Sequence, residues 1–166
     1  MPITRDEQKK ARMKAMRLLE HMDRTERGLE ERLRQAGFSG EAIQDAMDYV
    51  RSYGYINDVR YAQHYISYRL GIKSKQIILQ ELSQKGIDRQ TALEAWEEIT
   101  EFEEPDERSM IRKAVEKKYE RDSKLNEKEM RRLYGYLARR GFRAGDISSV
   151  LEEMVIGMSK NIETNG

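Results

Sequence analysis

Residues 82–87 read LSQKGI, and the same pattern occurs at residues 33–38 as LRQAGF and at residues 137–142 as LARRGF. In each stretch a leucine is followed by three residues, a glycine and a large apolar side chain. The glycines are 49 and 55 residues apart. Apolar residues also recur six and ten positions after each glycine: Ile43, Ala92 and Ile147, then Met47, Trp96 and Leu151. We therefore predict a structural repeat of about fifty residues, with Trp96 in its core.

Each of these stretches is typical of the end of a helix. A glycine just past the last helical turn adopts the left-handed conformation without steric cost, and the apolar residue after it packs back on the helix. A residue that can cap a new helix then follows: Ser39 or Gly40, Asp88, and Asp146. Each repeat is thus predicted to hold a helix, a short turn and a second helix.

A longer helix is predicted to precede each of these pairs. It covers residues 6–22 in the first repeat and begins at Asn57 or Asp58 in the second and at Pro105 in the third. Middle helices are predicted to begin at Thr25, at Ser74 and at Asn126, where Glu129 completes a capping-box pattern. Tandem repeats of this kind stack on their neighbours. The predicted fold is therefore all-α, with three tandem three-helix repeats forming an elongated curved helical array.

The predicted repeats cover residues 1–56, 57–104 and 105–160, and a disordered tail covers 161–166. Composition limits the class of protein further. The chain has no cysteine, which excludes a disulfide framework and cysteine-ligated zinc. No apolar run approaches the roughly 20 residues of a membrane span, and the opening MPITRDEQKK has no hydrophobic signal core. We expect a cytoplasmic protein that does not bind membranes.

The formal net charge of +1 conceals a segregation of charge along the chain. Residues 59–93 have a balance of +4, residues 94–107 carry eight acids and no base, and residues 108–143 have a balance of +8. Alternating blocks of this kind indicate a binding protein with charged faces. The alternative is that these residues are merely the solvated faces of helices.

The run GYINDVRYAQHYISYR at 54–69 and the run ILQELSQKGI at 78–87 resemble the signature of the RecX family, and LLEHMDRT…LEERLRQAGF at 18–38 is similar to the opening of that family. The resemblance covers residues 11–152. Gly28 and Ser74 depart from the family pattern, which has an acidic residue and a glycine at these positions. The resemblance implies a cytoplasmic modulator of the RecA recombinase that binds in the groove of the RecA–DNA filament. It would limit filament growth, ATP hydrolysis, strand exchange and repressor cleavage.

The resemblance implies no enzyme, no cofactor and no metal, and we expect a monomer. Its partners would be the RecA filament and, through auxiliary nonspecific contacts, single-stranded or duplex DNA. The charge blocks indicate ten basic residues as the contacts: Arg60, Arg69, Lys73, Lys75, Lys85, Arg131, Arg132, Arg139, Arg140 and Arg143. An enzyme is not favoured, because the two histidines, His21 and His64, lie in different repeats and no glycine-rich phosphate loop occurs.

The main alternative is a tandem helix-turn-helix protein that acts on DNA directly, since each repeat has that layout. The arginines of the third repeat could contact phosphates. The acidic block opposes a duplex lying along the whole chain, and the predicted helix start at Asp146 offers no good reader of bases.

The tyrosine-rich stretch RSYGYINDVRYAQHY at 51–65 has two interpretations. It could stack single-stranded bases, or it could seal the joint between the first two repeats. We favour the joint, with Tyr61, Tyr65 and Tyr68 forming one packing stripe. Arg60 and Arg69 would then face outward.

Overall fold

A computed structural model describes residues 2–159 of the chain. Over these residues the predicted all-α fold of three helix triplets is confirmed. The first triplet is α1 (Arg5–His21), α2 (Glu26–Gln35) and α3 (Gly40–Ser52). The second is α4 (Asp58–Arg69), α5 (Lys75–Gln84) and α6 (Arg89–Ile99). The third is α7 (Glu107–Glu116), α8 (Glu127–Arg139) and α9 (Ala144–Glu153). The tail predicted at 161–166 lies outside the described residues.

The middle helices begin where their caps predict. The Thr25 hydroxyl accepts a hydrogen bond from the Gly28 N–H at 3.0 Å, and the Ser74 hydroxyl accepts one from the Ile77 N–H at 3.2 Å. Asn126 and Glu129 form a complete capping box at the start of α8. Because these side chains satisfy amide groups that have no partner inside the helix, they define the first turn.

Two predicted starts in the third triplet are wrong. α7 begins at Glu107 and not at Pro105, because the Asp106 carboxylate accepts a hydrogen bond from the Arg108 N–H at 3.1 Å and caps the helix. α9 begins at Ala144 with Arg143 as the N-cap residue, and Arg143 makes no side-chain cap. Asp146 therefore lies inside the first turn, where a carboxylate favours the positive end of the helix dipole. Its carboxylate is 3.6 Å from Nε of Arg108.

The three glycines that define the repeat all end helices in the left-handed conformation, with φ of 91° at Gly37, 91° at Gly86 and 87° at Gly141. After each, the apolar residue donates its N–H to the leucine carbonyl five positions earlier, at 3.4, 3.0 and 3.3 Å respectively. This is the hydrogen-bond pattern of a Schellman motif. The prediction that these stretches stop helices is confirmed.

The chain divides into two compact units. Unit 1 comprises the residues up to Tyr68 together with Leu79–Glu101, and unit 2 comprises Arg69–Ile78 together with the chain from Phe102 onward. The divisions fall inside α4 and α5, so the second triplet contributes to both units. In unit 1, α1 packs on α2 and α3 around a core that includes Leu29, Leu33 and Met47. Trp96 is 4% exposed, which confirms its predicted place in the core.

Inside unit 1 the start of α2 contacts the start of α4 and the turn after α5. We call this contact the first joint: Thr25, Glu26, Asp58, Lys85 and Gly86. The Thr25 hydroxyl donates a hydrogen bond to the Lys85 carbonyl at 2.7 Å, and the Glu26 N–H donates one to the Asp58 carboxylate at 2.9 Å. A Cβ on Gly86 would lie 2.4 Å from Cδ of Arg27, so the glycine also permits close approach.

Inside unit 2 the start of α5 contacts the start of α7 and the turn after α8. We call this the second joint: Ser74, Lys75, Glu107, Arg140 and Gly141. The Ser74 N–H donates a hydrogen bond to the Arg140 carbonyl at 2.9 Å, and the Lys75 N–H donates one to the Glu107 carboxylate at 3.1 Å. A Cβ on Gly141 would lie 2.3 Å from Oγ of Ser74.

Unit 2 also contains a short strand pair that the helical composition did not predict. β1 (Lys124–Leu125) pairs in parallel with β2 (Gly157–Met158). α9 ends at Glu153, and Val155, which lies between α9 and β2, has a φ of 58°. Leu125 is buried in the same core as Leu133, Leu137 and Leu151 of α8 and α9. The strand pair thus ties the loop before α8 to the chain after α9.

Candidate partner-binding surfaces

The structure places eight of the ten predicted binding residues in unit 2: Arg69, Lys73, Lys75, Arg131, Arg132, Arg139, Arg140 and Arg143. α8 contains three of these residues, Arg131, Arg132 and Arg139, and Arg140 is its C-cap residue. Its buried stripe of Leu133 and Leu137 faces the core, so Arg132 and Arg139, seven positions apart, share an outward face. We call Arg132, Arg139 and Arg143 the exposed arginine set.

All three residues of the exposed arginine set are solvent-exposed and have no ion-pair partner among residues 2–159. The Arg139 guanidinium lies back along α8, with Nη1 3.2 Å from the position that a Cβ on Gly135 would take. Arg131 differs, because its Nη2 is 3.2 Å from the Glu127 carboxylate on the previous turn. The set therefore offers three cations to a partner, while Arg131 is partly neutralised.

Arg140 has a structural role. Its carbonyl is the acceptor in the second joint, and its Nη1 donates a hydrogen bond to the Ile72 carbonyl at 3.5 Å. Its guanidinium carbon lies 4.3 Å from the centre of the Tyr136 ring, and Nζ of Lys118 lies 3.8 Å from the same point. These contacts are cation–π interactions. Replacing Arg140 would therefore disturb packing as well as charge.

Three basic residues of the second triplet are half-buried rather than fully exposed. Arg69, Lys73 and Lys75 lie on either side of the turn that leads from α4 to α5. The Arg69 carbonyl accepts hydrogen bonds from the N–H groups of Ile72 and Lys73, at 3.0 and 3.1 Å. Nζ of Lys75 is 3.8 Å from the Glu104 carboxylate. This segment therefore contributes to the second joint as well as to the charge of the surface.

Arg60 and Lys85 lie in unit 1, apart from the other eight. Nη2 of Arg60 donates a hydrogen bond to the Gly54 carbonyl at 3.4 Å, and its side chain is exposed, as predicted. Nζ of Lys85 is 5.7 Å from the centre of the Tyr65 ring, and its carbonyl belongs to the first joint. The structure therefore does not bring all ten predicted residues into one unit.

The tyrosine-rich stretch divides into a buried part and an exposed part. The Tyr61 and Tyr65 rings stack at 6.2 Å and Tyr65 is 9% exposed, which confirms their packing role. The prediction for Tyr68 is wrong, because it is 79% exposed. It lies to the side of the buried stripe formed by Ala62, Tyr65 and Ile66. Tyr53 and Tyr55 are exposed as well, and their rings stack on each other at 5.5 Å.

A cationic groove on unit 1 was not predicted from the sequence. It has a volume of about 460 Å³ and lies along α1, where its lining includes Arg5, Lys9, Arg12, Arg17 and Tyr49. The basic residues recur at helical spacing in RDEQKKARMKAMR, residues 5–17. This spacing of basic residues is the signal in the sequence that indicates the groove.

Arg12 is held in place inside this groove. Its Nε and Nη2 donate hydrogen bonds to the two Asp45 carboxylate oxygens, at 2.8 and 2.9 Å, and its guanidinium carbon lies 4.6 Å from the centre of the Tyr49 ring. The hydrogen bond from Arg12 lowers the pKa of Asp45, and a further hydrogen bond from Gln8 acts in the same direction. Such a bidentate pair fixes both side chains. Arg12 therefore orients Tyr49 at the edge of the groove.

Within residues 2–159, no helix has the length and apolar character needed to cross a membrane. The fold and the surfaces together define a class of protein: a chain of three successive three-helix domains whose cationic side chains lie at helix ends and along exposed helix faces.

Comparisons with known proteins identify the family. Residues 11–49, 57–95 and 106–151 match, in order, the models of the first, second and third three-helix domains of RecX. The chain is 33% identical over 146 residues to a regulatory protein RecX of Caldanaerobacter subterraneus subsp. tengcongensis, covering 87% of this chain and 71% of the relative. It is 32% identical over 158 residues to one from Clostridioides difficile, with coverages of 93% and 73%.

The chain belongs to the RecX family. The fold is similar as well: a crystal structure of RecX from Lactobacillus salivarius superposes on this chain with a TM-score of 0.69. That comparison covers 91% of this chain and 98% of the other at 23% identity. The resemblance noted from the sequence is confirmed, including the three-helix repetition.

Proposed function

We propose that this protein regulates the RecA recombinase by binding in the groove of the RecA–DNA filament. It limits filament growth, and thereby ATP hydrolysis, strand exchange and repressor cleavage. It acts in the cytoplasm as a monomer, through binding and not through catalysis. Membership of the RecX family over all three domains is the observation that supports this proposal most strongly.

The cationic side chains suggest how binding would work. The exposed arginine set is available to carboxylates on a protein partner or to phosphates of the DNA inside the filament. Contacts from several domains to successive subunits would add up, so that overall affinity exceeds that of any single contact. Since these contacts involve exposed charge, inhibition is expected to weaken as salt increases.

The direct test is the DNA-dependent ATPase of a RecA recombinase, titrated with this protein at several salt concentrations. We expect suppression at less than one molecule of protein per recombinase subunit, because blocking a filament affects many subunits. No suppression at low salt, with saturating protein, would overturn the proposal.

The contact residues are tested by the double substitution R139A/R143A. The matched control is R32A/R34A, which removes two exposed arginines from the last turn of α2 and changes net charge equally. We expect the first variant to weaken suppression and the second to leave it nearly unchanged. Arg140 is left intact, because its contacts belong to the second joint. Equal inhibition by both variants would exclude the exposed arginine set as a contact.

A tandem helix-turn-helix protein that acts on DNA directly is the second candidate. It is favoured by one observation: the N-cap residue of α9, the second helix of the α8–turn–α9 pair, is an exposed arginine, Arg143, rather than Asp146. This removes one argument against base reading at that position. Tight, sequence-dependent binding to bare duplex DNA, lost in R143A and without any effect on the recombinase, would support this candidate instead.

A further inference from the structure

Unit 1 carries an aromatic ladder that continues from the cationic groove. Tyr49 lines the groove, and its ring meets the Tyr53 ring edge-on at 5.0 Å. Tyr53 in turn stacks on Tyr55 at 5.5 Å with only 14° between the ring planes. Tyr53 is 61% exposed and Tyr55 is 45% exposed. Tyr53 and Tyr55 therefore leave aromatic surface exposed to solvent beside the groove.

The charge of the groove is positive and available. Arg5, Lys9 and Arg17 are exposed and have no ion-pair partner among residues 2–159, while Arg12 is paired with Asp45. Among the described residues that line the groove, one is acidic, Glu20. Arg5, Lys9 and Arg17 extend along about 18 Å of α1, at 1.5 Å per residue. A row of cations of this length suits a chain of phosphates better than a single anion.

We propose that unit 1 binds single-stranded nucleic acid, with phosphates along Arg5, Lys9 and Arg17 and bases stacked on the exposed aromatic surface of Tyr53 and Tyr55. A basic track combined with an aromatic platform is the general solution for single strands, since every base has a π-face and every nucleotide carries a phosphate. The proposal deepens the proposed function and rests on it in one respect: it gives the auxiliary DNA contact a specific site.

Two other polyanions, a nucleic-acid duplex and an acidic peptide, fit the site less well than a single strand. In a duplex the bases are stacked on one another, so the tyrosines would find no free base face and only the cations would contribute. An acidic peptide would use the cations but would gain nothing from two parallel rings. Because Arg12 is fixed by Asp45 and packs on Tyr49, the ladder is held in position before any ligand arrives.

The test is the affinity of the whole protein, without recombinase, for a fluorescent oligothymidylate of about 12 nucleotides, within the usual size of single-strand sites. We expect Y53A/Y55A to weaken binding about tenfold or more. Y53F/Y55F keeps both rings and should retain the affinity. Tyr68→Ala is the matched control, because Tyr68 is an exposed tyrosine of unit 1 outside the ladder.

The cations are tested through salt. Each phosphate contact on a single strand contributes about 0.7 to the slope of log affinity against log salt. We expect K9A/R17A to reduce the slope by about 1.4. The control K14A/R34A removes two exposed cations that do not line the groove and should leave the slope unchanged. An equal loss in both variants would show that the groove is only part of a general positive field.

Two competitors complete the test. A duplex of the same length and heparin, a polyanion without bases, are both expected to bind more weakly than the oligothymidylate and to be insensitive to Y53A/Y55A. Equal binding of heparin, or no effect of Y53A/Y55A on the single strand, overturns the proposal. Variants are compared only where circular dichroism shows an unchanged fold.

The recombinase assay separates this inference from the proposed function. If wild-type protein binds the oligonucleotide through the ladder but does not suppress the ATPase, the inference stands and the proposed function fails. If wild-type protein suppresses the ATPase while Y53A/Y55A leaves oligonucleotide binding unchanged, the reverse holds.

Discussion

The first and second joints perform the same task with different atoms. In both, the N-terminus of a middle helix meets the turn after the next middle helix and an acidic residue at the start of the first helix of the following triplet. The first joint uses the Thr25 side chain as donor to the Lys85 carbonyl, whereas the second uses the Ser74 backbone N–H as donor to the Arg140 carbonyl. The bond to the turn carbonyl therefore depends on the identity of a side chain in the first joint and on the backbone alone in the second.

The two joints also differ in how closely other atoms approach the glycine of each, and here the second joint is the more constrained. At Gly86 the nearest atoms are Cδ of Arg27 at 2.4 Å, which belongs to a long side chain that can move, and Cβ of Arg27 at 2.7 Å, which is tied to the backbone of α2. At Gly141 they belong to Ser74 and to Cβ of Ile77, both of which are tied to the backbone of α5. The second joint is thus more sensitive to glycine, and the first to the cap.

The largest effect is expected for G141A. An alanine there would have to adopt a φ near 87° and place its Cβ 2.3 Å from Oγ of Ser74 and 2.5 Å from Cβ of Ile77. Left-handed strain and overpacking together are expected to destabilise unit 2 by about 3 kcal/mol or more. Urea unfolding followed by far-UV circular dichroism measures the loss.

The equivalent glycines serve as controls for G141A. Gly37 has the same φ as Gly86, but nothing lies within 4 Å of its Cβ position, so G37A should cost only the conformational strain, about 1 kcal/mol. G86A should fall between the two, because Cδ of Arg27 can move away from the added Cβ, whereas Cβ of Arg27 at 2.7 Å cannot. Three equal losses would show that the joints make no difference and that the left-handed turn alone matters.

T25A is expected to have the next largest effect. It removes the donor to the Lys85 carbonyl and also the acceptor that caps α2, at a combined cost of about 2 kcal/mol. S74A removes only the cap of α5, since the bond to Arg140 comes from the backbone, and should cost about 1 kcal/mol.

The single tryptophan makes this comparison measurable, because Trp96 is buried in unit 1. T25A should shift the fluorescence-detected transition, and T25S should restore most of the stability by retaining the hydroxyl. A loss in S74A as large as that in T25A would contradict the assignment of a backbone contact to the second joint.

V155G is expected to stabilise unit 2. α3 and α9 end in the same hydrogen-bond pattern, with 2.9 Å bonds from Tyr55 N–H to the Val50 carbonyl and from Ile156 N–H to the Leu151 carbonyl. Unit 1 places Gly54 at the left-handed position, but unit 2 places a β-branched valine there, with a φ of 58°. Relieving this strain should add about 1 kcal/mol in urea unfolding.

The matched change G54V should have the opposite sign in unit 1. Val155 is 50% exposed, so its removal should forfeit little packing. A loss of stability in V155G would show that the valine contacts outweigh the strain.

Much of the fold could be predicted because each helix end depends on local chemistry. The glycine stops and the caps at Thr25, Ser74 and Asn126 act within one turn, so a single sequence contains them. The predicted start of α9 was wrong because Asp146 is a residue type that often caps helices. In the structure its carboxylate instead lies near Arg108 of another helix. The strand pair also joins residues about thirty positions apart and has no local signal.

The binding surfaces were predicted less well for the same reason. Charge counts located the exposed arginine set, but they could not show that Arg140 packs on Tyr136 or that Lys75 lies near Glu104. The groove along α1 depends on Tyr49 and Asp45 of α3, which only tertiary packing brings beside Arg12. Ser74, which departs from the family pattern, is 1% exposed and caps α5 at the second joint.

The smallest effect is expected for D58N, and it depends on pH. Burial raises the pKa of Asp58, and the nearby carboxylates of Glu26 and Asp88 act in the same direction against the hydrogen bond from the Glu26 N–H. A raised pKa in the folded state means that folding favours the protonated acid. The corresponding stability is fully present below the ordinary value of about 3.9 and is lost as the pH rises through the folded pKa.

Asparagine keeps the oxygen that accepts the Glu26 N–H but carries no charge. D58N should therefore be more stable than wild type at neutral pH, by less than about 1 kcal/mol, and the difference should vanish on acidification toward pH 4. Trp96 fluorescence in urea at several pH values measures this. If the first joint required the Asp58 carboxylate as an anion, the result would be the opposite, and D58N would be less stable than wild type at neutral pH. In that case the two joints would differ in their donors but share a requirement for charge.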